Sequence, residues 1–165
     1  MNVLLNYLWP ACIAGLAIGA LAATIGLRRD TIKPALAIGF AAALAAAALW
    51  HGPIGGAARF TGEVERTARQ ALQHYEMTAV TARLHRSPLS RRLILSGPGD
   101  DFQRSELARL LSQLPGVSGA TWNSRSAGLP LIVEGLAAAL VGFLIGAVLA
   151  YVVELRRRYN AQWRW

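Results

Sequence analysis

Few side chains in this sequence have the type and spacing that chemistry needs. Glu134 is the one ionisable group in the apolar run from Leu129 to Val153. A carboxylate in hydrocarbon is costly to bury, so its position points to a function. It lies five residues into the run, within reach of an interface, so a partner-pairing or interfacial role is expected ahead of a proton relay. His51 follows Ala47 by four residues at the end of another apolar run. A small residue one turn before an imidazole makes His51 a candidate ligand to the magnesium of a chlorophyll-type pigment, although Ala-rich helices produce that spacing by chance. His74 and His85 show no metal-ligand spacing with Cys, Asp or Glu, and His74 reads as a solvated helix residue. Cys12 is the single cysteine, which excludes an internal disulfide. It reads as a small apolar residue within a membrane helix, and the preceding Trp9-Pro10-Ala11 is a poor match to a lipoprotein cleavage site. Ser96-Gly97-Pro98-Gly99-Asp100 is Gly-rich but lacks the length and the Lys of a phosphate-binding loop. No nucleophile elbow and no paired-acid motif occurs. The expectation is a protein that is not an enzyme, with no catalytic residue, cofactor or metal.

The elements that carry these residues follow from hydropathy. Val3 to Leu27 and Pro34 to Trp50 are free of charge, and Leu129 to Val153 carries only Glu134. About 20 apolar residues cross the hydrocarbon of a bilayer, so three transmembrane helices are expected, the Ala-rich second being the shortest. The chain divides into 1–50, holding spans at about 3–27 and 34–50; a domain at 57–125; a third span within 128–155; and a basic tail, 156–165.

Basic residues set the orientation. Arg28, Arg29 and Lys33 flank the first connection, and Arg156, Arg157, Arg158 and Arg164 follow the third span. Such residues stay cytoplasmic and meet lipid headgroups, which puts the N-terminus and the central block outside. The formal charge of +8 is spread as +2 in the loop, +3 in the block and +3 in the tail. Charge scattered over two compartments does not make a nucleic-acid surface. No Lys or Arg precedes the first span, so it is expected to remain as a helix and not to act as a cleaved signal peptide. Tyr7, Trp9, Trp50, Tyr151, Tyr159, Trp163 and Trp165 fall near the expected interfaces as an aromatic belt.

Helix boundaries and helix faces are also visible. Thr31 is placed to cap the second span with Pro34 in its first turn, Pro130 does the same for the third, and Pro10 is expected to kink the first or mark an irregular first turn. Gly15, Gly19 and Ala23 repeat every four residues, as do Gly142, Gly146 and Ala150. Small residues on one face let helix backbones approach closely in lipid. They serve packing among the protein's own helices or against helices of another subunit.

In the central block, Phe60, Val64, Ala68, Ala71 and Tyr75 form a helical stripe. Val80, Ala82 and Leu84 alternate with polar residues as a strand, His85 to Ser90 is a turn, and Leu93 and Leu95 lie in a second strand. Asp100 or Asp101 caps a helix with the stripe Leu107, Leu110, Leu111 and Leu114, and Pro115-Gly116 ends it before a strand over 117–122. The order is αββαβ. So small a domain has a thin core and leans on the membrane or a partner.

Ala82-Arg83-Leu84, Leu93-Ile94-Leu95-Ser96-Gly97 and Leu114-Pro115-Gly116-Val117 together resemble the BON domain, over roughly Val64 to Trp122. One departure is the turn before the Leu-Ser-Gly strand, Arg86-Ser87-Pro88-Leu89-Ser90, where that family often has Gly. The resemblance implies a small periplasmic α+β module that binds phospholipids or protein partners at membranes, without catalysis. The linker Asn123 to Gly128 reaches at most about 20 Å, so the domain stays at the membrane face. The fold class expected is therefore a bacterial inner-membrane protein with three transmembrane helices and a BON-like extracytoplasmic domain. Two functions follow. The first is a structural accessory subunit of a larger energy-transducing or envelope complex, with other membrane subunits and lipids as partners. The second is a module that recognises phospholipid or envelope components at the periplasmic face.

Overall fold

The computed structural model describes residues 2–125 and 128–162. Its elements in chain order are α1 (Val3–Arg28), α2 (Ile32–His51), α3 (Gly56–His74), β1 (Thr81–Arg86), β2 (Leu89–Ser96), α4 (Asp101–Ser112), β3 (Gly119–Thr121) and α5 (Leu131–Gln162). They divide into two units. One joins Leu8–Ile54 to Gly135–Trp165, and the other joins Met1–Tyr7 to Gly55–Glu134.

In the helical unit, α1, α2 and α5 are each long and apolar enough to cross a membrane. At 1.5 Å per residue the 20-residue α2 extends about 30 Å, the thickness of a hydrocarbon core. α1 and α5 run in the same direction with their backbones in contact. A Cβ on Gly15 would fall on the Ala139 carbonyl oxygen, and one on Gly19 on that of Phe143. Reciprocally, Gly142 faces the Cys12 carbonyl and Gly146 that of Leu16. α2 packs antiparallel, with Gly39 against Ala22 and the ring of Phe143. Ala11, Ala47 and Ala139 meet at one level, and Ala22, Ala43 and Phe143 at another.

Three local expectations change here. Thr31 occupies the N-cap position of α2 but makes no side-chain cap bond. With φ −118° and ψ 43° it is not in the extended geometry that aims a cap hydroxyl inward. Its N–H instead donates to Gly26 O at 3.0 Å, closing a tight turn through Asp30, whose φ is 52°. Pro130 precedes α5 and does not enter its first turn; its carbonyl accepts from Val133 N–H at 3.0 Å. α5 also runs on through Arg156, Arg157 and Arg158, because Arg is a good helix former and nothing breaks the helix there. Trp163, Arg164 and Trp165 lie outside the described residues.

In the second unit, the order αββαβ is observed. The sheet is β1-β2-β3, with β1–β2 antiparallel and β2–β3 parallel across the α4 crossover. Phe60, Val64, Ala68 and Leu72 are the buried residues of the α3 stripe. Leu72 replaces the expected Ala71 and Tyr75, because α3 ends at His74 and Tyr75 is its C-cap. The expected long turn shrinks to Ser87-Pro88, a cis peptide, and the strands extend to Arg86 and from Leu89. Asp100, not Asp101, caps α4, forming a capping box with Gln103. The core is Leu84, Leu93 and Leu95 beneath Leu107 and Leu111. Gly116 has φ 91°, which glycine adopts readily, and a Cβ there would come within 3.2 Å of Phe60 and Val64. Tyr7 and Leu131 are buried in the same unit, and the Tyr7 and Phe60 rings lie 5.8 Å apart. Tyr7 is therefore a core residue and leaves the expected belt, while Trp9, Tyr151 and Tyr159 are exposed.

Gly142→Val should lower the stability of detergent-solubilised protein by about 1–3 kcal/mol or more, since the carbonyl it meets cannot retreat from a helix. Gly62→Ala, on an open face of α3 with nothing within 4 Å, should raise it by about 0.5–1 kcal/mol. Reversible denaturant unfolding followed by circular dichroism measures both.

Candidate functional site

The small residues singled out by spacing converge in one seam. Gly15, Gly19 and Ala23 on α1 and Gly142 and Gly146 on α5 are all buried, and Ala150 is half-buried. Both glycine pairs are therefore taken up by the protein's own helices. α2 differs: Ala37, Ala41, Ala45 and Ala48 remain exposed, at spacings that put them on one face. Beside them an apolar groove of about 290 Å³ opens between α1 and α2, lined by Ile18, Leu21, Ile25, Ala35 and Ile38.

The basic residues gather at the C-terminal ends of α1 and α5. Arg28, Arg157 and Arg158 line an open recess together with Leu27, Asp30 and Glu154. Glu154 pairs with Arg157 at 3.7 Å and Arg158 at 3.2 Å. Arg158 Nη2 also donates to the Leu27 carbonyl at 3.4 Å, placing a cation on the negative end of the α1 dipole. Arg29, Lys33 and Arg156 are exposed and do not line the recess.

Glu134 sits in the first turn of α5, where the helix dipole favours an acid. Its Oε1 accepts from Arg91 Nε of β2 at 2.9 Å, and the two side chains are only 15% and 23% exposed. Ser90, fully buried, forms a bridge with Pro130, and Tyr7 Oη donates to the Leu131 carbonyl at 3.4 Å. β2 is thus tied to the start of α5 at two adjacent residues, Ser90 and Arg91, and Tyr7 of α1 adds a third tie at Leu131. Arg91 was invisible to sequence reasoning because 43 residues separate it from Glu134 and no local pattern links them.

The histidines do not converge. His51 ends α2, and Ala47 one turn earlier is buried against Ala11 and Ala139. Protein therefore fills the small-residue side that would admit a pigment ring. His74 ends α3 with its ring 5.4 Å from that of Tyr75, and His85 Nδ1 lies 3.0 Å from the Pro88 carbonyl in the hairpin. Among the described residues no group of three or more His, Cys, Asp or Glu could hold a metal ion.

Two further polar arrangements brace the α/β unit. Trp122 Nε1 donates to the Arg104 carbonyl at 2.9 Å, and the Arg104 guanidinium lies 5.4 Å from the indole centroid, joining the residue after β3 to α4. Glu65 of α3 accepts from Leu84 N–H at 3.1 Å and from Arg86 Nη2 at 3.2 Å.

With this geometry in place, the chain can be set beside known proteins. No family model, curated protein or solved structure matches it. The small mixed sheet and its element order stand on the structure alone.

Removing Arg91 or Glu134 leaves a half-buried charge without its partner. A double-mutant cycle over Arg91→Ala and Glu134→Gln should give a coupling of about 1–3 kcal/mol, read from denaturant unfolding. On the exposed face of α4, the hydrogen bond from Arg109 holds the Glu106 carboxyl below the usual range. A depressed folded-state pKa gives a contribution present above the unfolded value and lost as pH falls through the folded one. NMR titration should show Glu106 moving up in Arg109→Ala.

Proposed function

We propose that this protein is a non-catalytic accessory subunit of a bacterial inner-membrane complex, energy-transducing or envelope-related. α1, α2 and α5 are its spans. The basic ends of α1 and α5 lie in the cytoplasm among lipid headgroups, and the α/β unit is a BON-like domain on the periplasmic face. The observation that carries this reading is the uncovered small-residue face of α2, Ala37, Ala41, Ala45 and Ala48. In lipid there is no hydrophobic drive for helices to associate, and close backbone approach over small residues supplies it. The glycine faces of α1 and α5 are used internally, so the exposed α2 face and the groove beside it are the surfaces on which a neighbouring subunit's helix docks.

Supporting the orientation, α1 and α5 are parallel within their unit and bring Arg28 to Arg157 and Arg158, as the positive-inside rule asks of two helices ending in the cytoplasm. The domain's element order is the one that the BON resemblance implies.

Extraction in a mild detergent should yield a stoichiometric assembly, and Ala41→Leu with Ala45→Leu should release this protein from it while leaving its own fold intact. Recovery only as a free protein that binds anionic liposomes through residues 60–122 would instead favour the phospholipid-binding reading. Cysteine labelling from either side of the membrane, at Asp30→Cys and Ser124→Cys in a Cys12→Ala background, should mark the first as cytoplasmic and the second as periplasmic.

A further inference from the structure

β1 is an edge strand, paired on one side to β2. In an antiparallel ladder alternate residues turn both backbone groups toward the partner, and those between turn them away. Leu84 N–H is bonded by the Glu65 side chain, so Leu84 belongs to the outward set. Thr81 to Leu84 pair in unbroken register with Ser96 to Leu93, which puts the N–H and C=O of Ala82, two residues earlier, on the free edge as well. A groove of about 320 Å³ opens beside this segment. α3 contributes Glu65, Arg69 and Gln73 to its wall, and the strand side contributes Thr78, Ala82 and Arg83.

The charge of this groove is one-sided. The Glu65 carboxylate is engaged by Arg86 and by Leu84 N–H. Arg69 and Arg83 are exposed and have no ion-pair or hydrogen-bond partner among the described residues. An edge offering a donor and an acceptor from one residue matches another backbone, which carries both, whereas a phosphate offers acceptors alone. Free guanidinium groups beside the edge select acidic side chains on that backbone. Glu65 already satisfies one edge N–H with a carboxylate oxygen, so the edge accepts acidic chemistry at the neighbouring position.

We propose that the free edge of β1 around Ala82 binds an extended acidic segment of a partner protein as a fourth strand, held by backbone bonds to Ala82 and by Arg69 and Arg83. This assigns a partner chemistry to the domain and rests on the accessory-subunit reading.

The test uses the full chain in zwitterionic-lipid nanodiscs. A fluorescein-labelled seven-residue peptide alternating Glu with Val or Thr is titrated by fluorescence anisotropy, beside the same peptide with Lys for Glu. The Glu peptide should bind at least tenfold tighter than the Lys peptide, and Arg69→Glu with Arg83→Glu should reverse that order. Ala82→Pro removes the outward N–H without removing a ladder bond and is tolerated on an edge strand; it should weaken binding at least tenfold. Because that variant can fail to fold, the Glu peptide with alternate backbone nitrogens methylated is run against the unaltered protein, with loss of binding expected in one of the two methylation registers. Equal binding of Glu and Lys peptides, or full binding of both methylated peptides, would overturn the proposal. So would the absence of peptide binding alongside phosphatidylglycerol-vesicle binding that the two Arg substitutions abolish. These outcomes read direct binding, so they stand apart from whether a native assembly co-purifies.

Discussion

The closest physical constraint in this molecule is the backbone contact between α1 and α5. Gly15, Gly19, Gly142 and Gly146 each face a main-chain carbonyl of the other helix with no room for a Cβ. Contact at that range brings dispersion attraction over a full helix face, the main source of helix association where lipid replaces water. It also fixes register, since a slip along either helix would drive an Ala, Leu or Ile into a carbonyl. α2 joins this pair through Gly39, Ala43 and Ala47, and Phe143 fills the space between Ala22 and Ala43.

The α/β unit solves a different problem. Five short elements around Leu84, Leu93, Leu95, Leu107 and Leu111 make a small core, and small cores are marginal. Here the core extends into the first residues of α1 and the first turn of α5. Tyr7 packs on Phe60, Leu131 is fully buried, and Glu134 closes on Arg91. The carboxylate for which an interfacial or partner-pairing role was expected is paired with a cation from the sheet. Its two side chains are partly shielded from water, so the pair is more sensitive to loss of one member than a surface pair would be.

These two solutions leave different surfaces free. The glycine faces are consumed inside the helical unit, so the small-residue face left exposed is that of α2. In the α/β unit, Glu65 guards one backbone donor of the β1 edge and leaves the neighbouring position open. Edge strands invite pairing unless they are blocked, and Glu65 blocks this edge at Leu84.

Much of this was legible in the residues themselves. Hydropathy placed α1 and α2 to within two residues at either end, because apolar runs of that length have few alternatives. The αββαβ order followed from period-2 and period-3.6 patterns with Pro and Gly between them. The glycine repeats announced close helix packing but not its partner, since a face of small residues is the same face whichever helix covers it. The tertiary structure decided that α1 and α5 cover each other, that Tyr7 belongs to a core and not to an aromatic belt, and that Glu134 pairs with Arg91. It also decided that His51 has protein, not open space, beside its small neighbour Ala47. Periodicity and composition are local and survive in the linear chain, whereas each of these pairings joins residues far apart in sequence and exists only once the elements have packed.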